Sequence, residues 1–492
     1  MGGNSWKLNF HIENGGRKYM ESKVSVILVS YNQGSYLKQS IESVLQQTYQ
    51  NIELIIVDDC STDNSWEVIQ SFRDSRIIAH RNKTNMGSNG GGIAKYALEH
   101  WVSGKYIAIQ HSCDFWEKSK LEKQVRFLEN DKEKKYGAVF TLVNVVTETG
   151  EAFKNTKDFY YNAFEKENRN RFEWLRYFFE HGNCLCHNSS LVRTEYHKKY
   201  KLFIKGLRQT PDFYKWLRLC LNKEIYIIQE RLTGFRMING QRGASRYNVE
   251  TSIRSSIEMF SIVQQYRNLK KYEDFVRVFP EIKSIMNKKN FNADFALAQM
   301  CLRTGMPNYY RLFGYQLIYQ LINDQKVSGL IKKNFNYDIR DFWNENSKVD
   351  IFGIFPPEEE KICSLFVDTG AGYSEQESIK CKYRFGKKEQ YAFGFFISKE
   401  KYNHIKKIRF DPIEETFIIC KIIKACWGKK DLELRAIGEH IEPKEGDVFL
   451  STDPNYEILL PEEELTGTIN IELSMKRMKD VQLEKYLLEG KK

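Results

Sequence analysis

The sequence predicts an α/β fold with a mainly parallel sheet, followed by a helical segment and an all-β sandwich or jelly roll. Three observations carry this. In the first half, apolar runs of four to six residues alternate with amphipathic stretches of helical period. Between about 250 and 335 helical periodicity takes over and strand signals are few. From about 345, short β-rich runs recur between turns: IFGIF, ICSLFV, YAFGFFI, FIICKII and INIEL. At 492 residues the chain is too long for one core. The expected parts are a polar leader at 1–21, the α/β domain at 22–248, a helical linker or subdomain at 249–344 and a β-sandwich accessory domain at 345–492.

Each α/β element has its own signal. VSVILV, residues 24–29, is a continuous apolar run, as a strand buried on both faces should be. SYNQGS follows as a loop, and YLKQSIESVLQQ places Leu37, Ile41, Val44 and Leu45 on one helical face. IELIIV, residues 52–57, is a second buried strand. DDCSTDNS carries helix-capping residues ahead of WEVIQSF. RIIAH is a short third strand. A glycine cluster (Gly87, Gly90, Gly91, Gly92) leads into the helical IAKYALEHW, and YIAI is a fourth strand.

Composition narrows the classes. The net charge of +11 is spread along the chain without a long Lys/Arg block, which argues against a nucleic-acid partner. Ten irregularly spaced cysteines in a chain of this size suit reduced thiols in the cytoplasm. The first residues lack an apolar signal core, and no stretch approaches the ~20 apolar residues of a membrane span. The expected location is cytoplasmic, with any membrane contact peripheral, at the inner face.

In an open parallel sheet, ligands bind beyond the carboxyl ends of the strands. There the first strand delivers Ser30, Tyr31 and Asn32, the second Asp58 and Asp59, and the fourth His111, Cys113 and Asp114. A carboxylate such as Asp59 can accept the imide N–H of a pyrimidine while Tyr31 stacks on the base. The plainer alternative is that Asp58, Asp59 and Ser61 only cap the next helix.

VSVILVSYN with LKQSIESVLQQTYQNIELIIVDDCSTDNS, GKYIAIQHSCDFWEKSKLEKQVRFLE and LRQTPDFYKWLRL resemble, in order and spacing, the family 2 glycosyltransferases. The likeness covers about residues 22–245. It implies a GT-A fold (Rossmann-like), a nucleotide-sugar donor, usually a UDP-sugar, and transfer with inversion to a saccharide or lipid-linked saccharide in surface polysaccharide synthesis. By position, Val29, Ser30, Tyr31 and Asp59 match the nucleoside pocket. Cys113 and Asp114 match two adjacent carboxylates, Asp114 the metal-binding one. Asp212 matches the catalytic base. His187 falls on a strand lining the acceptor side, and Arg236 and Arg242 in a loop over the donor phosphates.

Elementary chemistry agrees with these roles. Displacing a nucleoside diphosphate leaves charge that a divalent metal or arginines must meet, and a carboxylate must take the acceptor hydroxyl's proton. Pro211 suits a first helical turn, and Phe213, Trp216, Leu217, Cys220 and Leu221 give that helix a buried stripe holding Asp212 at its start. A plain N-terminal cap is the alternative role for Asp212. A catalytically inactive fold serving as a glycan-binding or scaffold protein is the alternative for the chain. The β domain suits sugar binding, a scaffold role or homo-oligomer formation.

The sequence departs from the family at His111 and Cys113, where carboxylates often stand, at Ile238, where many members have histidine, and at the glycine cluster. Asp114 alone is left to hold Mn²⁺ or Mg²⁺ with the donor diphosphate. A zinc site from His111, Cys113, Cys184, Cys186 and His187 is disfavoured, because neither HSC nor CLCH has the two-residue gap of zinc knuckles.

Overall fold

Strand β1 (Val24–Ser30) and helix α1 (Gly34–Leu45) open the first unit of the computed structural model, which divides at Asn346 and Ser347. The structure describes residues 22–478 except 88–89, 205, 239–247, 354–357, 387–388, 403, 439, 442–445 and 462–464. The polar leader at 1–21 and Arg242 lie outside the described residues. After α1 come β2 (Ile52–Asp58), α2 (Ser65–Ser71), β3 (Ile77–Arg81), α3 (Gly90–His100), β4 (Tyr106–His111), β5 (Phe115–Trp116) and α4 (Lys120–Asn130). Then follow β6 (Tyr136–Val146), α5 (Arg171–His181), β7 (Leu191–Arg193), α6 (Thr194–Lys199), α7 (Pro211–Cys220) and β8 (Glu224–Arg236).

The sheet runs β3-β2-β1-β4-β7-β6-β8-β5. β1, β2, β3 and β4 pair in parallel, as do β6 and β8. Short β7 enters antiparallel between β4 and β6, and β5 is antiparallel to β8. The sheet is therefore mixed. Two antiparallel steps across β7 bring β6 and β8 back to the direction of β4, so the carboxyl ends of β1, β2, β4, β6 and β8 share one edge. The segment entering β7 reaches that edge too. The three-residue link from α7 to β8 makes those elements antiparallel, which brings the start of α7 there as well.

Strand β2 is buried along its whole length and β1 nearly so, as their apolar runs require. Gly34 is needed where α1 starts. A Cβ there would lie 1.9 Å from Asn64 Oδ1, and its N–H donates to Asp63 at 3.0 Å. That close approach joins the turns following β1 and β2.

The helical segment comprises α8 (Val249–Val263), α9 (Tyr272–Val278), α10 (Ala293–Cys301), α11 (Asn308–Asn323), α12 (Gln325–Phe335) and α13 (Ile339–Asn346). Expected as a linker or subdomain, it shares a core with α5 and α7 of the α/β part. The Phe179 ring meets Tyr266, Phe279 and Tyr310 at 5.1, 4.8 and 4.7 Å. The hydroxyls of Tyr266 and Tyr310 donate to the carbonyls of Leu175 and Phe179, both at 2.8 Å. Each such aromatic stabilises by about 1.5–3 kcal/mol on burial, so the join is as strong as an ordinary domain interior.

The second unit is all β. Its strands are β9 (Glu359–Asp368), β10 (Ser378–Phe385), β11 (Gln390–Ile397), β12 (Lys407–Asp411), β13 (Ile418–Trp427), β14 (Lys430–Asp431), β15 (Leu434–Ile437), β16 (His440–Ile441), β17 (Asp447–Phe449), β18 (Asn455–Ile458) and β19 (Gly467–Arg477). One antiparallel sheet runs β10-β9-β12-β18-β15, the other β11-β19-β13-β17-β16, and β14 pairs with β13. Phe393, Phe395 and Ile471 of one sheet share a core with Leu365, Ile408 and Phe410 of the other, a sandwich. Of the expected strand IFGIF, Ile351 and Phe352 lie in a turn and residues 354–355 lie outside the described residues; among the described residues of this unit the first strand starts at Glu359.

Candidate functional site

The shared strand edge gathers two clusters. The first lies after β1 and β2. Asn32 and Cys60 both adopt left-handed backbone conformations (φ 51° and 63°), which turn the chain sharply at the strand ends. Asn32 N–H donates to Ser61 Oγ at 3.0 Å, and Thr62 N–H to Asn32 Oδ1 at 2.8 Å. The two aspartates divide the roles the sequence left open. Asp58 is wholly buried and committed: it accepts from Ser61 N–H at 3.1 Å and pairs with Arg81 Nε at 3.2 Å. Asp59 is buried, and its Oδ1 accepts from Asn82 Nδ2 at 2.8 Å and Met86 N–H at 2.9 Å. Those bonds orient the carboxylate and leave Oδ2 for a ligand. Val29 is partly buried, Tyr31 is 47% exposed, and Ser30 Oγ is buried without a hydrogen-bond partner.

The second cluster lies after β4. Asp114 is 2% exposed. Its Oδ1 accepts from Arg236 N–H at 2.8 Å and the Cys113 thiol at 3.8 Å. Its Oδ2 accepts from Asn188 Nδ2 at 2.6 Å and His111 Nδ1 at 3.2 Å. A carboxylate accepts only, so His111 carries a proton on Nδ1. Burial, reinforced by Asp114, pushes the Cys113 thiol well up, so it is no thiolate ligand. The Mn²⁺ or Mg²⁺ site expected at Asp114 does not fit this arrangement: each carboxylate oxygen already faces two donors of the protein, three N–H groups and a thiol in all. Among the described residues no three His, Cys, Asp or Glu side chains are grouped to hold a metal ion, zinc included.

Arg236, expected over the donor phosphates, spends its guanidinium inside the protein. Nε donates to Cys113 O at 2.9 Å, Nη1 to Glu148 O and Nη2 to Gln39 Oε1, both at 2.5 Å. His187 is not on a strand. It opens a short 3₁₀ turn, His187–Ser189, because Ser189 Oγ and Ser190 Oγ bond the carbonyls of Cys186 and His187 at 2.9 and 2.7 Å.

Asp212 sits in the first turn of α7, behind Pro211. It is half-buried; Oδ2 accepts from Asn183 Nδ2 and Oδ1 from Phe213 N–H, both at 2.8 Å. Burial raises its carboxyl above the usual range, against the pull of the Phe213 N–H, the Lys215 ammonium and His111. Lys215 lies within the buried stripe of α7, its Nζ 2.9 Å from His187 Nε2. Burial pushes this ammonium down to about 7, opposed by Asp212. The rings of His111 and His187 meet edge-on at 5.7 Å. His111, His187 and Lys215 thus form a continuous nitrogen-bearing group between Asp114 and Asp212.

The helical segment reaches this cluster through Glu258 of α8, 5% exposed. It accepts from the N–H groups of Arg208, Gln209 and Thr210, each at 2.8 Å, and from Thr210 Oγ1 at 3.0 Å. Thr210 is the N-cap residue just ahead of α7, so Glu258 fixes the approach to Asp212. Sequence reasoning missed Lys215, Asn188 and Glu258. The i,i+3 spacing of Asp212 and Lys215 was a usable signal; Glu258 had none.

A family model described as "Glycosyl transferase family 2" matches residues 25–200. An uncharacterized glycosyltransferase from Methanocaldococcus jannaschii is 31% identical over 228 residues, 45% of this chain and 73% of that protein. The chain belongs to glycosyl transferase family 2. The UDP-Glc:alpha-D-GlcNAc-diphosphoundecaprenol beta-1,3-glucosyltransferase WfaP of Escherichia coli is 40% identical over 109 residues, 22% of this family 2 chain, which spans 42% of that relative's length. Residues 1–349 of TarS from S. aureus, solved with UDP-GlcNAc, align over 74% of this chain and 99% of theirs at 15% identity and TM-score 0.41, too loose a likeness to add to the assignment.

Proposed function

We propose that this family 2 chain is an inverting glycosyltransferase. It moves a sugar from a nucleotide-sugar, a UDP-sugar before others, to a hydroxyl of a saccharide or lipid-linked saccharide in surface polysaccharide synthesis. The observation that carries the reading is Asp212, a half-buried carboxylate with a raised proton affinity at the start of an anchored helix. Tyr31 and the free edge of Asp59 would receive the nucleoside, with Val29 and Ser30 beneath. His187 lies on the acceptor side of the same edge. The named activity of WfaP supports the lipid-linked acceptor class. No helix among the described residues is long and apolar enough to cross a membrane; we place the enzyme in the cytoplasm, in peripheral contact with the inner membrane face.

In the reaction the acceptor oxygen attacks the anomeric carbon as the bond to the diphosphate oxygen breaks. The electron pair leaves with the nucleoside diphosphate, and Asp212 takes the acceptor's proton. No step here is routed through a cation. A panel of UDP-, dTDP- and GDP-sugars scored by nucleotide release, with saccharide and lipid-linked acceptors, tests the reading. Release from one donor class, abolished in Asp212→Asn, is the expected result. The saturated Asp114 also favours a second reading, a fold that binds a nucleotide or glycan without turnover; nucleotide binding with no release from any donor would select it.

A further inference from the structure

The departure at Asp114 carries more than a missing ligand. Its two oxygens face donors from four parts of the chain: a β8 backbone N–H, the adjoining thiol, the buried Asn188 amide and the His111 ring. The Arg236 N–H belongs to a strand end and cannot rotate away. Freeing one oxygen for a small octahedral cation such as Mg²⁺ therefore breaks native hydrogen bonds and leaves a buried donor without its acceptor. Neither neighbour makes up the loss: the Cys113 thiol is turned to Asp114 Oδ1 at 3.8 Å, and His111 Nδ1 is spent on Asp114 itself.

Positive charge is available beside it. An ammonium can only donate, so with Lys215 charged, His187 Nε2 accepts its proton at 2.9 Å and His187 carries its own proton on Nδ1. No described residue accepts from that Nδ1–H. Lys215 packs against the rings of Phe203 and Trp216 at 4.5 and 5.3 Å, so it cannot swing out to water. An anion arriving next to this pair holds the ammonium in its charged form. The pair links the His111 ring, which bonds Asp114, to the helix whose first turn carries Asp212.

We propose that this chain binds and uses its nucleotide-sugar without a divalent cation, the charge leaving with the diphosphate being met by the Lys215 ammonium through the His187 Nδ1–H. Asp114 is then a brace that fixes His111, Asn188 and the end of β8. The inference rests on the nucleotide-sugar reading above.

The test compares the full chain in excess EDTA and in Mn²⁺, by calorimetric titration with UDP, dTDP and GDP and by nucleotide release from the matching sugars. Affinity and release that agree within about threefold between the buffers support the inference. Binding or release that needs Mn²⁺ overturns it while leaving the donor reading intact. No nucleotide binding in either buffer overturns both. The double variant His111→Asp with Cys113→Asp restores the carboxylates and is expected to bind Mn²⁺ in the presence of nucleotide, read by electron paramagnetic resonance. Mn²⁺ bound equally by the parent chain overturns the inference. Lys215→Met is expected to weaken nucleotide binding about tenfold in both buffers, with a cooperative melt of the free protein to show that it folds. Unchanged binding by a folded Lys215→Met overturns the assigned source of charge.

Discussion

The ends of β1 and β2 and the ends of β4 and β8 share one sheet edge, yet they are assembled from different distances along the chain. The first cluster is nearly local. Asn32 finds Ser61 and Thr62, Asp58 finds Arg81, and Asp59 finds Asn82 and Met86, all within about one strand–helix–strand repeat. The second is stitched from far apart: Asp114 to Arg236 and Asn188, Asp212 to Asn183, and Glu258 back to Thr210. Local stitching makes a pocket wherever the strand-turn-helix unit forms. Long-range stitching makes a second cluster that depends on the whole first unit being folded.

The largest break in that comparison is expected at Asp212. Asp212→Asn keeps the size and one of the two acceptor oxygens but removes the base, and transfer should fall by roughly 10²–10⁴-fold with nucleotide affinity unchanged. Full transfer by this variant, measured with an identified donor and acceptor, would show Asp212 to be no more than a helix cap.

Glu258→Ala comes next and probes long-range stitching without touching the pocket. It strips three backbone N–H groups of their acceptor and lets the start of α7 drift; small misplacements of a catalytic group cost about 10²-fold. We expect kcat to fall while KM for the donor holds, with partial rescue by Glu258→Gln, which keeps one acceptor oxygen. A donor KM that rises in step with the fall in kcat would mean that the two clusters are not separable.

Asp59→Asn tests the local cluster. The orienting bonds from Asn82 and Met86 survive on the amide oxygen, but the charged acceptor facing the base is lost, about 1.5–3 kcal/mol for a charge-assisted bond. The expected result is weaker nucleotide binding in titration calorimetry, with the acid limb of the pH–rate profile unmoved.

The smallest effect is on that limb. Burial holds the proton affinity of Asp212 above the carboxylate norm, so activity is lost as pH falls through this raised value, where the base becomes protonated. Lys215 pulls the value down. Lys215→Met should therefore move the acid limb to higher pH, read from kcat against pH. A shift to lower pH would contradict the electrostatic link.

The same contrast decides what could be read from the sequence. Val29 to Tyr31, Asp59 and the four parallel strands were legible because apolar runs and turn residues declare themselves within a few positions. The places of Asp114 after β4 and of Asp212 at the start of α7 could be read, but not what surrounds them. That each Asp114 oxygen faces two donors depends on a backbone N–H supplied by Arg236, which no local pattern reveals. The turn at His187 in place of a strand came from serine side chains bonding the backbone, a competition that apolar periodicity does not register. The mixed direction of the sheet came from β7, three residues long and without a turn signal of its own.

The fused core of the first unit sets a limit on how this chain can be cut. The match to the family model stops at residue 200, and a natural place to trim would be just past β8. Such a cut would remove the helices that cover α5 and the outer side of α7, leaving Phe179 and its neighbours to water. It would also take away the carboxylate holding the entrance to α7. A fragment that still showed the family's motifs would be a sticky, misaligned remnant, and transplanting the catalytic half onto another protein requires carrying residues up to 346 with it.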